Sequence, residues 1–227
     1  MKKPVKPARE NISPSDLTFG LSTCKRCLWV KYWYKVTSPM VMPLVGTLSR
    51  LQEEYFQGAD MPTIDPGLRA GKVTKWSEFV KSAPIVIDGA QTRWRILGKY
   101  DLLSSNEDGT VGLIDCKVSE SERDSGAFYS PQLEAYAYAL EKPLTGKAVE
   151  VASMGLLVWK PTHTMGNNPD NAGFGIYQKY ISVPRNQAEF ISVISQFIDV
   201  LEGEIPEAGP TCETCNFLTA RNALDLL

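Results

Sequence analysis

The stretch from residue 94 to residue 141 restricts the possible folds of this chain more than any other feature. Residues 94–103 and 112–117 have the residue types of β-strands. The segment Asn106-Glu-Asp-Gly109 separates them, and Asp-Gly is a hairpin-turn signal. A helix is predicted from about residue 131 to 141. Two neighbouring strands followed at once by a helix favour a layered fold in which helices cover a β-sheet.

Further helices and strands are predicted on both sides of this stretch. They are a helix that begins at Ser13, helices over about 24–35, 44–57 and 187–202, and strands over about 84–88, 154–160 and 176–183. Residues 163–173 are expected to form a polar loop, and residues 59–80 indicate no particular element. The element order predicts an α/β (α+β) fold with a mixed β-sheet flanked by helices. No linker divides the chain, so a single domain over residues 1–227 is expected.

The strands carry three candidate catalytic or metal-binding residues, Asp101, Asp115 and Lys117. Because side chains alternate along a strand, Asp115 and Lys117 point to one side of the sheet and Cys116 to the other. A hairpin closed near Asp108-Gly109 would bring Asp101 alongside Asp115. Two carboxylates suit Mg²⁺ or Mn²⁺, and such an ion activates water for attack on a phosphate. Lys117 could then orient the water and offset negative charge on the phosphate.

Gln132 and Tyr136 extend this set onto the following helix. They are four residues apart and therefore share one helical face. Each part alone is a weak signal, because Asp-x-Lys is usually a surface ion pair, and Gln and Tyr can be a helix cap and a buried ring. The prediction depends on the order of the parts: an Asp that ends one strand, a turn, a strand that ends in Asp-x-Lys, and a helix with Gln-x-x-x-Tyr.

This ordered set resembles the PD-(D/E)XK nuclease superfamily. Within the superfamily it is similar to the RecB-like exonuclease branch, which includes the CRISPR-associated RecB-type nucleases and the AddB nuclease domain. The resemblance covers Val45 to about Leu140, and it implies a restriction-endonuclease-like fold with a core over about residues 45–200. It also implies a metal-dependent deoxyribonuclease that acts as an exonuclease on single-stranded DNA or on DNA ends.

The resemblance implies a role for each candidate residue. Asp101, Asp115 and the backbone carbonyl of Cys116 would bind Mg²⁺ or Mn²⁺, and Lys117 would be catalytic. The two helical residues would contact the DNA backbone or support the site, namely Gln132 and Tyr136.

The chain departs from this branch in the helix before the strands. The branch often has a histidine there in a Gly-x-x-x-His arrangement, whereas the same spacing from Gly46 leads to Arg50 in this chain. The only histidine, His163, is distant in the sequence and is expected to be a solvated loop residue. Glu53 or Glu54 could replace the missing metal ligand, although acidic residues in helices usually lie on the solvent-exposed face.

Four of the five cysteines form two Cys-x-x-Cys pairs near opposite ends of the chain. They are Cys24 with Cys27, and Cys212 with Cys215. Four thiolates complete a tetrahedral Zn²⁺ site or hold an iron–sulfur cluster, and a redox pair at either end is an alternative. A shared centre would join residues 13–36 to residues 205–220. The resemblance implies a [4Fe-4S] cluster here, with structural Zn²⁺ as the alternative, although the branch commonly has one early cysteine and three late ones.

Charge and hydropathy restrict the possible partners. The formal net charge is −2, which excludes nucleic-acid binding through overall positive charge, so DNA must meet a local patch. Residues 1–10 are followed by no apolar segment of a secretory signal, and no apolar run approaches the roughly 18 residues of a membrane helix. A cytoplasmic protein with no membrane contact is therefore expected. A second hypothesis is a DNA-binding or assembly module with little turnover, within an unspecified DNA repair, phage or CRISPR-type complex.

Overall fold

A mixed six-stranded β-sheet lies at the centre of a computed structural model, which describes residues 3–37, 44–119, 125–166 and 172–224. The helices are α1 (Pro14–Thr23), α2 (Lys25–Tyr34), α3 (Val45–Tyr55), α4 (Met61–Ile64), α5 (Gly126–Glu141), α6 (Gln187–Glu202) and α7 (Glu213–Ala223). The strands are β1 (Asn11–Ile12), β2 (Gly71–Lys81), β3 (Val86–Ile87), β4 (Ala90–Gln91), β5 (Arg95–Asn106), β6 (Val111–Val118), β7 (Val151–Met165) and β8 (Gly173–Val183). The predicted fold class is confirmed.

The order of strands across the sheet is β1-β5-β6-β7-β8, and β2 pairs with β5 along the edge opposite to β6. The β5–β6 and β7–β8 pairs are antiparallel, whereas β6 and β7 are parallel and are joined through α5. Gly109, in the β5–β6 turn, has a φ of +82°, a conformation that a residue without a Cβ adopts freely. The Asp-Gly turn therefore folds as the sequence indicates.

The two faces of the sheet are covered by different helices. Side chains alternate along a strand, so Leu113 and Leu156 lie in one hydrophobic cluster while their neighbours Ile114 and Leu157 lie in another. The larger cluster contains residues of α1, α2, α5 and α6. The smaller cluster packs under the chain that follows α3 and includes Phe56 together with Met61 and Ile64 of α4. The sheet is thus enclosed between two helical layers.

Residues 59–80, which indicated no element in the sequence, contain most of β2. This strand pairs with β5 along nearly its whole length, and on its other side the described residues form only an isolated bridge between Lys72 and Asp60. Its side chains alternate only weakly between buried and exposed. A shift in register between Val73 and Lys75 interrupts the pattern further. An edge strand with many charged residues lacks the period-two signal by which strands are recognised.

The expectation of a polar loop over residues 163–173 is wrong at both ends. β7 continues to Met165 and β8 begins at Gly173, and His163 pairs with Gly175 inside the hairpin. The ring of His163 lies against Gly175 so closely that a Cβ there would be 2.2 Å from it. Residues 167–171, the middle of the expected loop, lie outside the described residues. The polar sequence did not indicate strands here. The segment is extended because β7 and β8 form backbone hydrogen bonds with each other as an antiparallel hairpin.

Two smaller differences concern short elements. The strand predicted over 84–88 is reduced to β3, which forms a separate two-stranded ribbon with β4. The helix α7 was not predicted, and none of its side chains is buried, so it lacks the apolar stripe that makes a helix recognisable.

The helices of the described chain are short. The longest ones, α5 and α6, have 16 residues each. Among the residues that the structure places, no helix combines the length and the apolar character needed to cross a lipid bilayer.

Arg185 connects the end of β8 to helix α5. Its Nε atom lies 3.1 Å from Oε1 of Glu134, and its Nη1 atom lies 2.7 Å from Oε1 of Glu141 and donates to the carbonyl of Val151. Glu134 is almost wholly buried, with 1 % of its surface exposed. A buried carboxylate depends on such a partner, because its transfer out of water is unfavourable.

We expect Arg185→Ala to lower the free energy of unfolding by about 3 kcal/mol, because it leaves the Glu134 carboxylate buried without its cation. Arg50→Ala is a matched control that removes an exposed ion pair to Glu54 and should cost less than about 1 kcal/mol. Urea denaturation followed by circular dichroism measures both values. Equal losses in the two variants would contradict this account of Arg185.

Candidate functional site

Asp101 and Asp115 lie where the pairing of β5 with β6 stops. The last paired residues of this ladder are Leu102 and Ile114, and the next position in the same register would set Asp101 opposite Asp115. The side chain of Asp101 takes the place of a backbone partner there, because its Oδ2 accepts a hydrogen bond of 2.7 Å from the N–H of Cys116. The two carboxyl groups therefore flank the end of the β5–β6 ladder.

Lys117 and Gln132 both contact the carboxyl group of Asp115. The Nζ atom of Lys117 lies 2.5 Å from Oδ2, and Nε2 of Gln132 donates to Oδ1 at 2.7 Å. The ammonium group of Lys117 also lies 4.6 Å from the ring centre of Tyr129 on α5. Asp115 is 3 % exposed and Gln132 is 4 % exposed, so the carboxylate is held almost without water.

Tyr136 has a different place from Gln132, although both lie on the same face of α5. Its hydroxyl donates a hydrogen bond of 2.8 Å to the carbonyl of Lys99 on β5. The ring passes so close to Gly98 that a Cβ at that position would be 2.7 Å from it. Burial, followed by the negative charges of Asp115 and Asp101, raises the pKa of Tyr136. Tyr136 therefore remains a protonated donor that fixes α5 against β5.

Glu53 on α3 faces the same site, whereas the sequence favoured a solvent-exposed position for it. Glu53 is 6 % exposed and accepts a hydrogen bond from Ser77 Oγ. Its neighbour Glu54 is exposed and pairs with Arg50 at 2.6 Å. The expectation of a solvated face is therefore wrong for Glu53 and right for Glu54. Nothing in the local sequence distinguishes the two residues, because only the packing of α3 on the sheet decides which one points inward.

Electrostatics link the three acids. Burial raises the pKa of Asp101, and the charges of Asp115 and Glu53 raise it further. Burial likewise raises the pKa of Asp115 and that of Glu53. For Lys117, burial acts to lower the pKa, but the charges of Asp115 and Asp101 outweigh it and the pKa is raised. The charge of the exposed Lys99 acts to lower the pKa of Glu53, so three acids face two ammonium groups in a place with little water.

A divalent cation fits this donor set. Each carboxylate has its own partner. Asp101 accepts from the Cys116 N–H, Asp115 pairs with the Lys117 ammonium group, and Glu53 accepts from the Ser77 hydroxyl. In the described parts of the chain, no three carboxylates bring their oxygens within 4.8 Å of one another. The surplus of negative charge nevertheless favours a cation with hard-oxygen preference, such as Mg²⁺ or Mn²⁺.

Comparison with known proteins agrees with this arrangement. The sequence profile of the PD-(D/E)XK nuclease superfamily matches residues 24–220, which is most of the chain. The chain belongs to the PD-(D/E)XK nuclease superfamily. Members of the superfamily are typically metal-dependent nucleases, and the two aspartates, the lysine and the glutamine described above lie inside the matched region.

One solved structure supports the fold of this PD-(D/E)XK protein. The crystal structure of SSO0001 superimposes with a TM-score of 0.52 over 93 % of this chain and 85 % of that one, at 17 % sequence identity. At such low identity the likeness concerns the fold alone. No curated protein matches the chain in sequence.

The second cluster of interest in this PD-(D/E)XK protein is formed by the four paired cysteines. Cys24 lies between α1 and α2, and Cys212 directly precedes α7. All four Sγ atoms lie within 4.8 Å of one another, and no disulfide joins them. The prediction that a four-cysteine centre joins the two ends of the chain is confirmed. Cys116 is not part of it, because its side chain is buried in the smaller hydrophobic cluster.

We expect Asp101→Asn to raise the melting temperature at neutral pH, by roughly 2–4 °C if the change amounts to about 1 kcal/mol. The pKa of Asp101 is raised in the folded chain, so the unfolded chain loses this proton first as the pH rises. Stability contributed by the protonated group is present below the ordinary aspartate pKa and is lost as the pH rises through the folded pKa. Asparagine avoids that loss.

The measurement is thermal unfolding of both proteins in a chelating buffer over a range of pH values. The gain of the variant should grow from acidic to neutral pH and vanish near the ordinary pKa of aspartate. Asp60→Asn changes an exposed aspartate that pairs with Lys72 and should show no such trend. A variant that is less stable than the wild type at every pH would refute the assigned role of burial.

Proposed function

We propose that this protein is a Mg²⁺- or Mn²⁺-dependent deoxyribonuclease that hydrolyses phosphodiester bonds in single-stranded DNA or at DNA ends. The observation that carries the proposal is the contact of Asp115 with both Lys117 and Gln132, at the end of the ladder that also positions Asp101. The pKa values of Asp101, Asp115 and Glu53 are all raised at this place, and such clusters of perturbed acids are typical of functional sites.

The residues of the site have distinct roles in this proposal. Asp101, Asp115 and the carbonyl of Cys116 would hold the divalent ion, with Glu53 as an additional carboxylate. A bound divalent ion polarises the scissile phosphate and makes water more acidic. Lys117 orients the attacking water and stabilises negative charge on the phosphate through its ammonium group. Gln132 keeps Asp115 in its orientation.

A groove beside Lys117 offers a place for the nucleic-acid strand. It has a volume of about 260 Å³ and is lined by Lys117, Lys160 and Lys179 together with the rings of Phe128 and Tyr177. The strand register explains this grouping. Lys117 is opposite Val158 on β7, Val158 is opposite Lys179 on β8, and Lys160 is opposite Tyr177. Residues that face each other across strands point to the same side of a sheet.

The composition of this groove supports a single-stranded substrate. Lysine side chains neutralise phosphates, while exposed aromatic rings stack on unpaired bases irrespective of sequence. Phe128 and Tyr177 are about half exposed, at 46 % and 51 %, and so could reach such bases. The groove also supplies the local positive patch that a chain with a net charge of −2 requires.

The finer assignments rest on the same observations. We propose the RecB-like branch because the chain joins a nuclease core to cysteines at both ends, whose four thiolates come together at one potential metal site. Five cysteines without a disulfide suit a reducing compartment, so we also propose a cytoplasmic protein.

A DNA-binding or assembly module with little turnover is the second candidate. Two observations favour it, namely the solvent-facing Arg50–Glu54 pair at the place of the family histidine and the ion pair that holds Lys117 on Asp115 at 2.5 Å. Binding of DNA without cleavage in either Mg²⁺ or Mn²⁺ would establish this alternative.

We expect Lys117→Ala to lower the rate of DNA cleavage by at least about 100-fold, because one preorganised positive donor at a reacting phosphate contributes about that much. The assay follows end-labelled linear single-stranded DNA, blunt duplex DNA, circular single-stranded DNA and RNA with Mn²⁺ or Mg²⁺. Asp115→Asn should be inactive as well. If the wild type cleaves the linear DNA substrates but not circular single-stranded DNA, free ends are required.

The control for this experiment is Lys72→Ala. Lys72 is exposed on β2 and pairs with Asp60, outside the site, so this variant should cleave at the wild-type rate. Equal cleavage by wild type, Lys117→Ala and Asp115→Asn would refute the proposed function, since the activity would then belong to something other than this site.

We expect the double variant Lys160→Ala/Lys179→Ala to bind single-stranded DNA roughly tenfold more weakly, while the rate at saturating DNA remains close to that of the wild type. The loss of two phosphate contacts should reduce the slope of log K against log salt concentration by about 1.4. Fluorescence anisotropy at several salt concentrations measures the slope. Lys72→Ala/Lys75→Ala is the matched control, and an unchanged slope in the first variant would exclude the groove as the DNA path.

A further inference from the structure

The four-cysteine centre has a sulfur spacing that distinguishes between its possible occupants. The Sγ atoms of Cys27 and Cys215 are 3.5 Å apart, those of Cys27 and Cys212 are 3.6 Å apart, and those of Cys24 and Cys215 are 3.8 Å apart. No pair among the four exceeds 4.8 Å. Three edges of the sulfur tetrahedron are therefore nearly equal and short.

From this spacing we infer that the centre binds a single tetrahedral Zn²⁺ ion and not a [4Fe-4S] cluster. A zinc–sulfur bond is about 2.3 Å long, so four thiolates arranged tetrahedrally around one zinc lie about 3.8 Å from each other. The three short sulfur–sulfur distances are close to that value.

A cubic cluster does not fit the same four positions. In a [4Fe-4S] cluster each cysteine binds a different iron atom at a separate corner of the cube. The four cysteine sulfurs must then surround the whole cage of iron and sulfide, and they lie farther apart than four ligands of one ion by about one iron–iron separation. The largest spacing allowed here, 4.8 Å, leaves no room for such a cage without displacement of both cysteine pairs.

The surroundings of the sulfurs also suit a closed structural site. The backbone N–H groups of Cys27 and Gly209 donate to the sulfur of Cys24, which is the kind of outer contact that orients thiolate ligands. Cys24 is buried, whereas the other three cysteines are only partly covered. Four thiolates complete the coordination of zinc and leave no open position for catalysis, so the ion would serve structure alone.

The two ends of the chain are joined independently of this ion. Trp29 Nε1 donates to the carbonyl of Gly203 at 3.1 Å, and Trp33 Nε1 donates to the carbonyl of Leu201 at 2.7 Å. These bonds attach α2 to the end of α6, which precedes Cys212 and Cys215 in the chain. Variants of the late cysteines should therefore fold and remain measurable, with loss of order confined to residues around α7.

The test is metal analysis of the full chain, purified without oxygen and without chelators from cells supplied with both iron and zinc. One zinc per chain, no iron and a colourless protein are the expected result. Cys212→Ser and Cys215→Ser should each reduce the zinc content to below about one tenth of the wild-type level. Cys116→Ala, which changes the cysteine outside the centre, should leave the zinc content unchanged.

A spectroscopic experiment confirms the ligand geometry without reference to DNA cleavage. Co²⁺ substituted for zinc should produce the intense visible bands of tetrahedral cobalt with four thiolates, and Cys215→Ser should abolish or shift them. Iron and sulfide at four each per chain, with a brown colour, would overturn the inference. So would a reduced protein that binds neither Zn²⁺ nor Co²⁺ at micromolar concentration. Neither result bears on the carboxylate site.

Discussion

The hydrogen bond from the Cys116 N–H to the Asp101 carboxyl is the interaction on which the site depends. It replaces a ladder contact between β5 and β6 at the point where their pairing ends, and it draws Asp101 to the start of the Asp-x-Lys segment. A carboxylate that occupies a backbone position is held in a defined place. The same bond satisfies a strand N–H that would otherwise lack a partner inside the molecule.

Charge in this region works against the stability of the sheet. Burial raises the pKa of both aspartates and that of Glu53, which means that their ionised forms are unfavourable where the fold puts them. Gln132 and Lys117 lessen the penalty at Asp115 without removing it. Functional sites often contain such uncompensated groups, because the same charges that lower stability supply affinity for a cation and a reacting phosphate.

The ends of the chain are fastened to each other by two kinds of contact. Aromatic residues of α2 bond to the carbonyls at the end of α6, and the four cysteines bring α7 against the junction of α1 and α2. α1 in turn packs on α5, the helix that contributes Gln132 to the site. The cysteine centre is therefore connected to the carboxylates through α1 and α5, the helical layer that positions them.

The sequence by itself determined the hairpin, the Asp-x-Lys strand, the helix with Gln132, and the pairing of the cysteines, because each depends on local spacing, turn residues or side-chain alternation. Only the tertiary structure decided that Glu53 and not Glu54 points inward, that Tyr136 bonds to Lys99, and that β2 completes the sheet edge. It also assembled the groove of Lys160 and Lys179 from strands whose register no local pattern reveals. These features arise from contacts between distant segments, and such contacts depend on packing geometry that neighbouring residues in the sequence do not encode.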